Sequence, residues 1–374
     1  MIKNKFYNLI IIGLLILVSC GESSNTPSNS DDDPITTNWT SVTADSKAGS
    51  GIDPNIAIDS NGYAHACSYN ANVKDLRYAY YDGSDWQAET VDSEGDVGEE
   101  CGIAIDSQDR PHISYVDATN GGLKYAIKSN DSWNTETVES HNGYSTMATS
   151  IGIDSNDNPH IGYNLATEDN DDSSLKKVRY AHYNGTDWVI AGVYTNGQDC
   201  IFALDSADKA HFAFIAGSDD ALRVHYSTNV TSDWVDTEVD SSTTAGGDIG
   251  IALDSSDNPN IIYNDYGNGA VMFAYKNGSS WSSSTIASDV GSGEGVKITV
   301  SNNDSVHVVF NDDENEKLMY GIYNGEEWSL EQISKMGNPS IAVDVSHNPH
   351  VAHYYNTGGG NSDDEAVLKY SIKE

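Results

Sequence analysis

The residues of this 374-residue chain that could do chemistry recur along its length. The segment Asp154 to Tyr163, DSNDNPHIGY, holds two carboxylates, a histidine and a tyrosine, which could bind a metal ion or act as a general acid–base site. The same pattern occurs seven times, beginning at Ile56, Ile103, Ile151, Phe202, Ile251, Ile298 and Ile341. An active site needs such a group of carboxylate, histidine and tyrosine side chains only once in a chain. We therefore interpret the segment as a structural turn in which Asp accepts backbone hydrogen bonds, and we expect its histidine to form hydrogen bonds between neighbouring repeats.

Seven tryptophans define the repeat. Their successive spacings are 47, 47, 55, 46, 47 and 47 residues, at Trp39, Trp86, Trp133, Trp188, Trp234, Trp281 and Trp328. Each repeat reads as four short strands; in one of them the strands are 103–106, 112–116, 123–127 and a segment that starts at Trp133. Four strands repeated at this spacing are typical of a β-propeller blade.

The repeats also indicate how the ring closes. The last repeat reaches the C-terminus before its tryptophan, whereas Trp39 precedes the first repeat. We therefore predict an all-β, seven-bladed β-propeller of four-stranded antiparallel blades, in which an N-terminal strand completes the last blade and leaves no open edge.

The N-terminus predicts export. Lys3 and Lys5 precede an apolar run from Leu9 to Val18 that is too short to span a membrane. The ending LVSC resembles the lipobox of bacterial lipoproteins, which implies a signal peptide at 1–19 and lipidation of Cys20. Residues 20–34 are small, polar and acidic, as in a flexible tether, and 35–374 form the propeller. We expect a lipid anchor at the outer membrane or cell surface of a Gram-negative bacterium.

The formal net charge of −38 argues against nucleic-acid partners and favours cations as counterions. Calcium is the one candidate ion, no other cofactor is expected, and the propeller is expected to be monomeric. Apart from Cys20 the cysteines are Cys67, Cys101 and Cys200, so at least one lacks an intramolecular partner. The sequence leaves their pairing open.

Function should lie in the loops in which the repeats differ. The loops that join consecutive blades and those between second and third strands meet on one face, around the central channel. Acids and tyrosines in these loops suit sugar hydroxyls or a cation. The ligand-binding candidates are Glu99, Glu100, Asp117, Tyr144, Tyr194, Asp199, Asp248, Asp265, Tyr266, Glu294, Asp312 and Tyr355.

The unit IDSxxxPHIxY…LKYAxYNGxxW resembles the repeats of bacterial secreted propellers of the sialidase-like, or BNR-like, group. The resemblance covers nearly all of Trp39 to Glu374 and implies the fold. True sialidases use three arginines on the substrate carboxylate. This chain has only four, three of them at one repeat position, and it lacks the Phe/Tyr-Arg-Ile-Pro motif; the arginines are Arg77, Arg110, Arg179 and Arg223.

Three functions follow from these observations. The first is a non-catalytic, envelope-anchored propeller that binds a glycan or an envelope protein at its loop-rich face. The second is a polysaccharide-degrading lyase or hydrolase. Some polysaccharide lyases are similar propellers that use His and Tyr, which would make His141 and Tyr144 catalytic. A lyase also needs cations against the uronate carboxylate, and the acidic rim offers Lys335 nearly alone. The third is a scaffold subunit of an outer-membrane complex. We expect the first.

Overall fold

The computed structural model describes residues 38–140, 144–167, 176–217, 222–231, 233–241, 245–293, 295–356 and 365–373, without the side chains of 144–147, 167, 245 and 246. The predicted signal peptide, the tether and Cys20 lie outside the described residues. Within these ranges no helix is long and apolar enough to cross a membrane.

Strands make up the whole of the regular architecture in the described ranges, as seven four-stranded antiparallel sheets. Blade 1 contains β2 (Ile52–Ile58), β3 (Ala64–Asn70), β4 (Asp75–Tyr81) and β5 (Trp86–Asp92). Blade 2 contains β6 (Val97–Ile105), β7 (Pro111–Asp117), β8 (Gly122–Ser129) and β9 (Ser132–Ser140). Blade 3 contains β10 (Tyr144–Ile153), β11 (Pro159–Thr167), β12 (Lys177–Tyr183) and β13 (Trp188–Thr195).

The remaining blades follow the same order. Blade 4 contains β14 (Gly197–Leu204), β15 (Ala210–Ala216), β16 (Arg223–Thr228) and β17 (Val235–Asp240). Blade 5 contains β18 (Ala245–Leu253), β19 (Pro259–Asp265), β20 (Ala270–Asn277) and β21 (Ser280–Ser288). Blade 6 contains β22 (Lys297–Val300), β23 (Val306–Asp312), β24 (Lys317–Tyr323) and β25 (Trp328–Lys335). Blade 7 contains β26 (Pro339–Val343), β27 (Pro349–Asn356), β28 (Ala366–Lys373) and β1 (Trp39–Asp45).

The predicted ring closure is confirmed. Strand β1 pairs antiparallel with β28, with Trp39 opposite Lys373 and Val42 opposite Tyr370. The first strand of the chain is therefore the outermost strand of the last blade. The seven-bladed fold predicted from the repeat is the fold observed.

The Asp–His pairs of the repeated segment form hydrogen bonds within their own blade, so the expectation that the histidines bridge neighbouring blades is wrong. In blade 3, His160 Nδ1 lies 2.5 Å from the Tyr180 hydroxyl, and His160 Nε2 lies 3.4 Å from Asp154. Strand pairing explains this, because β11 and β12 of the same sheet place His160 beside Tyr180's strand. Burial lowers the pKa of His160 against the opposing effect of Asp154. The group is structural, as the sequence indicated.

Blade 5 shows that the His–Tyr contact is a unit. It carries Asn260 in place of the histidine and Phe273 in place of the tyrosine. A buried tyrosine hydroxyl without an acceptor is costly, and Phe273 removes that hydroxyl where the imidazole is missing. Its carboxylate, Asp254, accepts from the side chain of Asn258 at 3.0 Å, as Asp154 of blade 3 does from Asn158.

Neighbouring blades are joined through the same turns. Ser155 donates to Asp208 of the next blade from both its backbone N (2.9 Å) and its hydroxyl (2.6 Å). The same double contact occurs at the junctions Ser60–Asp109, Ser107–Asp157, Ser206–Asp257 and Ser255–Asp304. The first Asp of the DSNDNPH segment, Asp154, thus accepts bonds within its own turn. The following Ser155 bonds to the second Asp of the equivalent turn in the next blade, Asp208.

We predict that His160→Asn destabilises the fold by about 1–3 kcal/mol, because the buried Tyr180 hydroxyl loses its acceptor. Adding Tyr180→Phe recreates the Asn–Phe pair of blade 5 and should recover part of that loss. Urea unfolding of the two single variants and the double variant measures this coupling. Strictly additive losses would show that the two side chains do not act as a unit.

Candidate active site in the central channel

The innermost strands carry a β-bulge near their first residues. The pairing register shifts between Ile52 and Asn55 in β2, between Glu99 and Gly102 in β6, and between Gln198 and Ile201 in β14. A bulge turns one side chain away from the regular pleat and is common next to active sites. The regular alternation of side chains between the two faces of the sheet is lost at the bulge. For this reason the sequence pattern predicted that these strands begin later than they do.

The bulges bring carboxylates to one level of the channel. Asp53, Glu100, Asp199 and Asp248 each stand three residues before the repeated Ile or Phe. Asp53, Glu100 and Asp199 have φ of 45°, 49° and 51°. Non-glycine residues adopt this left-handed conformation at a cost, and it clusters at functional sites.

These four carboxylates, here called the carboxylate ring, line one cavity of about 160 Å³. Ala148 occupies the equivalent position of blade 3, and Asn338 that of blade 7. Lys297 is the one cation among the described residues of the wall. The ring lies near the start of the inner strands, whereas the Asp–His turns lie at their other end. The cavity therefore belongs to the face with the blade-joining loops, as the sequence predicted for function.

Two members of the ring are fixed by neighbouring blades. Asn338 Nδ2 donates to Asp53 Oδ1 at 2.6 Å. The backbone N–H of Gly295 donates to Asp248. Each of these two carboxylates is therefore held from an adjacent blade.

Glu100 has the opposite electrostatic character. Its side chain meets water in the channel, yet the channel wall surrounds it. Loss of bulk solvation raises the pKa of Glu100 to about 8, and the negative charge of Asp53 raises it further. Lys297 lowers this pKa, and Asp248 and Asp199 raise it by smaller amounts. The pKa of Asp199 is raised to about 6, first by desolvation and then by Asp248. At neutral pH the ring thus combines a protonated Glu100 carboxyl with Asp199, whose lower pKa leaves it mostly ionised.

Below the ring, a second cavity of about 130 Å³ has no carboxylate among its described lining residues. Its wall combines apolar and hydroxyl side chains, namely Ile103, Ile151, Phe202, Ile251, Ile298 and Ile341 with Ser150 and Ser340. Asn55, Ile201 and Lys297 border both cavities. The carboxylates of the two cavities are therefore concentrated at the carboxylate ring.

The other acidic candidates lie outside the ring. Asp117, Asp265 and Asp312 close the loops between second and third strands by accepting from Asn120, Asn268 and Asn315 at 2.7–2.9 Å. Glu99 is half-buried, and desolvation, then Asp96 and Asp53, raises its pKa.

The aromatic candidates occupy separate places. Tyr194 packs against Phe214, with ring centroids 4.8 Å apart. Tyr266 is 44% exposed, and Lys369 lies over the Tyr355 ring at 5.4 Å. His141, Glu294 and the side chain of Tyr144 lie outside the described residues.

Sequence reasoning missed Asp53, Lys297 and Asn338. Their signal was available, because aligning the repeats on the recurring Ile places Asp53 and Asn338 in the same column as Glu100, Asp199 and Asp248. The sequence prediction placed the site in the variable loops at the rim. The repeat position shared by these residues lies instead within the repeat, three residues before the recurring Ile or Phe. No group of three His, Cys, Asp or Glu side chains in the described ranges is placed to hold one metal ion.

The arginines at the repeated strand position form ion pairs between neighbouring blades. Arg77 bonds to Asp45 at 2.9 Å, and Arg179 bonds to Glu139 at 2.5 Å. Lys124 occupies the same repeat position and bonds to Asp92 at 2.5 Å. Each carboxylate ends the outer strand of the preceding blade. These cations are used between blades and do not line the channel cavity.

No known family profile matches the chain, and no curated protein matches its sequence. Solved structures do resemble it. The polysaccharide lyase Uly1 has a TM-score of 0.59 at 8% identity, covering 90% of this chain and 98% of its own. An α-L-arabinanase of Penicillium chrysogenum in complex with arabinobiose has a TM-score of 0.54 at 9% identity, covering 89% and 97%. An α-L-arabinofuranosidase of Fusarium graminearum has a TM-score of 0.53 at 8% identity, covering 90% and 98%.

A lectin, SapL1 in complex with α-methyl fucoside, is also similar, with a TM-score of 0.50. NanB sialidase of Streptococcus pneumoniae reaches 0.47. At these identities the similarities show the fold. Most of these neighbours are enzymes, so the expectation of a non-catalytic binding module is corrected in favour of the enzyme alternative. The sequence interpretation rested on the exposed loops and did not use the repeat column that the channel carboxylates share.

We predict that the Glu100 carboxyl titrates near pH 8, and that Asp248→Asn lowers this value by removing a nearby negative charge. Because the folded pKa lies above the ordinary value of 4.5, the folded state binds more protons, and its stability falls as pH rises between those values. Glu100→Gln should flatten that part of the stability curve. Carboxyl ¹³C NMR and urea unfolding at several pH values test both effects; titration near pH 4.5 would contradict the prediction.

Proposed function

We propose that this seven-bladed propeller is a polysaccharide-degrading enzyme, and specifically a glycoside hydrolase, with the carboxylate ring as its active site. The supporting observation is that Glu100, whose pKa is raised to about 8, shares one cavity with three other carboxylates, among them Asp199 with a pKa of about 6. Glycosidic bonds are cleaved by two carboxyl groups, one acid and one ionised carboxylate that serves as base or nucleophile. Environments that separate the pKa values of two carboxyls assign these roles.

Glu100 is the general acid in this proposal. It donates its proton to the glycosidic oxygen as the bond to the anomeric carbon breaks. Asp248 is the second carboxyl in this proposal, because the Gly295 backbone N–H donates to it and its negative charge raises the pKa of both Glu100 and Asp199. It activates water or attacks the anomeric carbon. The developing positive charge on the sugar ring is favoured by the remaining ring carboxylates.

The charge of the channel favours a hydrolase over a lyase. A lyase that acts on uronates must neutralise the substrate carboxylate before a proton leaves the neighbouring carbon. The described wall of the cavity offers Lys297 against four carboxylates. An anionic polymer would be repelled there, so the substrate we propose is a neutral polysaccharide or oligosaccharide.

We predict that Glu100→Gln lowers kcat on a neutral polysaccharide by about 10²–10⁴-fold with little change in KM, because general acid catalysis is lost. Aryl glycosides with a 2,4-dinitrophenol leaving group should lose much less activity, since that group leaves without a proton. Reducing-sugar release and chromatography of the products measure both. Glu326→Gln makes the same chemical change at an exposed turn on the opposite face and should leave kcat unchanged.

The substrate panel decides between enzyme classes. The soluble fragment that contains residues 35–374 is incubated with neutral polysaccharides and with a uronate polymer, with and without calcium. Reducing ends without the ultraviolet absorbance of an unsaturated product are expected from the neutral polymers. Unsaturated products from the uronate polymer would replace the hydrolase by a lyase. Full activity of Glu100→Gln on an unactivated substrate would contradict the assignment of the acid.

We further propose that the enzyme acts at the cell envelope, held by a lipid on Cys20. The LVSC sequence supports this, and an anchor would keep the products of an extracellular polysaccharide near the cell. The full chain should partition into the detergent phase of Triton X-114, and Cys20→Ala should move it to the aqueous phase. Equal partitioning of both forms would rule out the lipid.

A further inference from the structure

Glu100 is attached to the blades on both sides of its own. Its following residue, Cys101, forms a disulfide with Cys67 in β3 of blade 1. Both cysteines are buried, at 3% and 0% exposure. The bond therefore fastens the bulge of β6 to the middle of the preceding blade. Cys200, beside Asp199, is a free buried cysteine.

The second attachment comes from blade 3. Thr149 donates its hydroxyl hydrogen to the Glu100 carbonyl at 2.7 Å. Thr149 Oγ1 also lies 2.8 Å from Ser114 Oγ in β7. Since a threonine hydroxyl has one hydrogen, Ser114 is the donor in that second contact. A chain of hydrogen bonds thus runs from Ser114 through Thr149 to the Glu100 backbone, with both hydroxyls buried.

This arrangement occurs at one junction of the ring. The residues equivalent to Thr149 are Pro54, Cys101, Cys200, Ile249, Val296 and Pro339, none of which has a hydroxyl group. Asp199 shows the contrast. Its following residue, Cys200, forms no disulfide and donates its N–H to Asn164 Oδ1 at 2.6 Å.

A fixed backbone matters for Glu100 because its conformation is unfavourable. Its φ of 49° persists where surrounding contacts over-determine it. Both attachments act on the carbonyl side of the residue, one on the carbonyl oxygen and one on the next residue. They hold the carboxyl among Asp53, Asp248 and Asp199, whose negative charges act on it.

We propose that Thr149 and the Cys67–Cys101 disulfide are positioning residues that hold the Glu100 carboxyl inside the carboxylate ring. The role in catalysis rests on the proposed hydrolase function, whereas the positioning itself does not. A catalytic group must be held by residues that are themselves locked by packing and hydrogen bonds. Thr149 makes no contact with the reacting atoms in this proposal and acts through Glu100.

The first test is Thr149→Val, which removes the hydroxyl and keeps the shape. Freed at its carbonyl, Glu100 should relax towards bulk water, so its titration midpoint should fall from about 8 towards 4.5 by about one pH unit or more. Carboxyl ¹³C NMR of protein labelled at glutamate Cδ reads this directly, and Glu100→Gln assigns the signal. An unchanged midpoint would overturn the role of Thr149.

Two matched controls separate positioning from general loosening. Thr149→Ser restores the donor and should restore the midpoint. Ser150→Ala removes a different inter-blade hydrogen bond, in which Ser150 Oγ accepts from the Phe202 N–H at 3.1 Å. It should leave the Glu100 midpoint unchanged. A shift in Ser150→Ala equal to that in Thr149→Val would show that any loosened junction has this effect and would overturn the proposal.

The disulfide is tested with Cys67→Ala/Cys101→Ala, after circular dichroism has confirmed that the variant is folded. Its Glu100 midpoint should fall as in Thr149→Val, and an unchanged midpoint in the folded variant would remove the disulfide from the proposal. If the variant does not fold, Thr149→Val still decides whether the carbonyl anchor positions Glu100.

Kinetics complete the test. In active protein, the alkaline fall of kcat/KM should move to lower pH in Thr149→Val by the same amount as the NMR midpoint, with KM unchanged. If the Glu100 midpoint shifts in Thr149→Val but the wild-type protein cleaves no polysaccharide, positioning is supported and the hydrolase function is refuted. An unchanged midpoint and pH profile in an active enzyme would refute positioning and leave the hydrolase in place.

Discussion

The fold depends on the contact between each tryptophan and the aromatic ring of the preceding blade. Edge or tilted contacts with centroids 4.9–5.7 Å apart occur at all seven junctions, from Trp86 against Tyr370 to Trp234 against Tyr180. Aromatic pairs bury much apolar surface and prefer such geometries. Because a closed ring leaves no junction unfilled, the same aromatic contact is needed at each of the seven junctions. The tryptophans that make this contact therefore recur along the chain, most often 47 residues apart.

The repeated polar groups serve the same constraint. In six of the seven blades a histidine contacts the hydroxyl of the tyrosine that the next tryptophan touches, as His160 does for Tyr180. The turn residues then join one blade to the next at the far face. These side chains are engaged with one another in the scaffold. The carboxylate ring stands apart from them, in the channel near the start of the inner strands.

The sequence predicts the periodic part of the molecule well, because packing that occurs seven times leaves seven matching residues. Strand number, ring closure and the structural nature of DSNDNPH follow from this. The site is not periodic. Asp53, Glu100, Asp199 and Asp248 share a column of the repeat, but a bulge breaks the alternation that would mark it. Lys297 stands two residues further along its strand, so only the three-dimensional ring brings it to Glu100. The pairing of Cys67 with Cys101 likewise follows from adjacent blades and from no spacing rule.

The pairing of β1 with β28 has a consequence for how the molecule is made. Ser41 meets Ser371 across a separation of 330 residues, so β1 finds its partner only when β28 has been synthesised. Contacts this distant in sequence slow folding, because a long loop must close before they form. Blades 1 to 6 can assemble from local hairpins, and blade 7 stays incomplete until β28 is present. The enclosed channel, and with it the full set of walls around Glu100, is therefore the last feature to form.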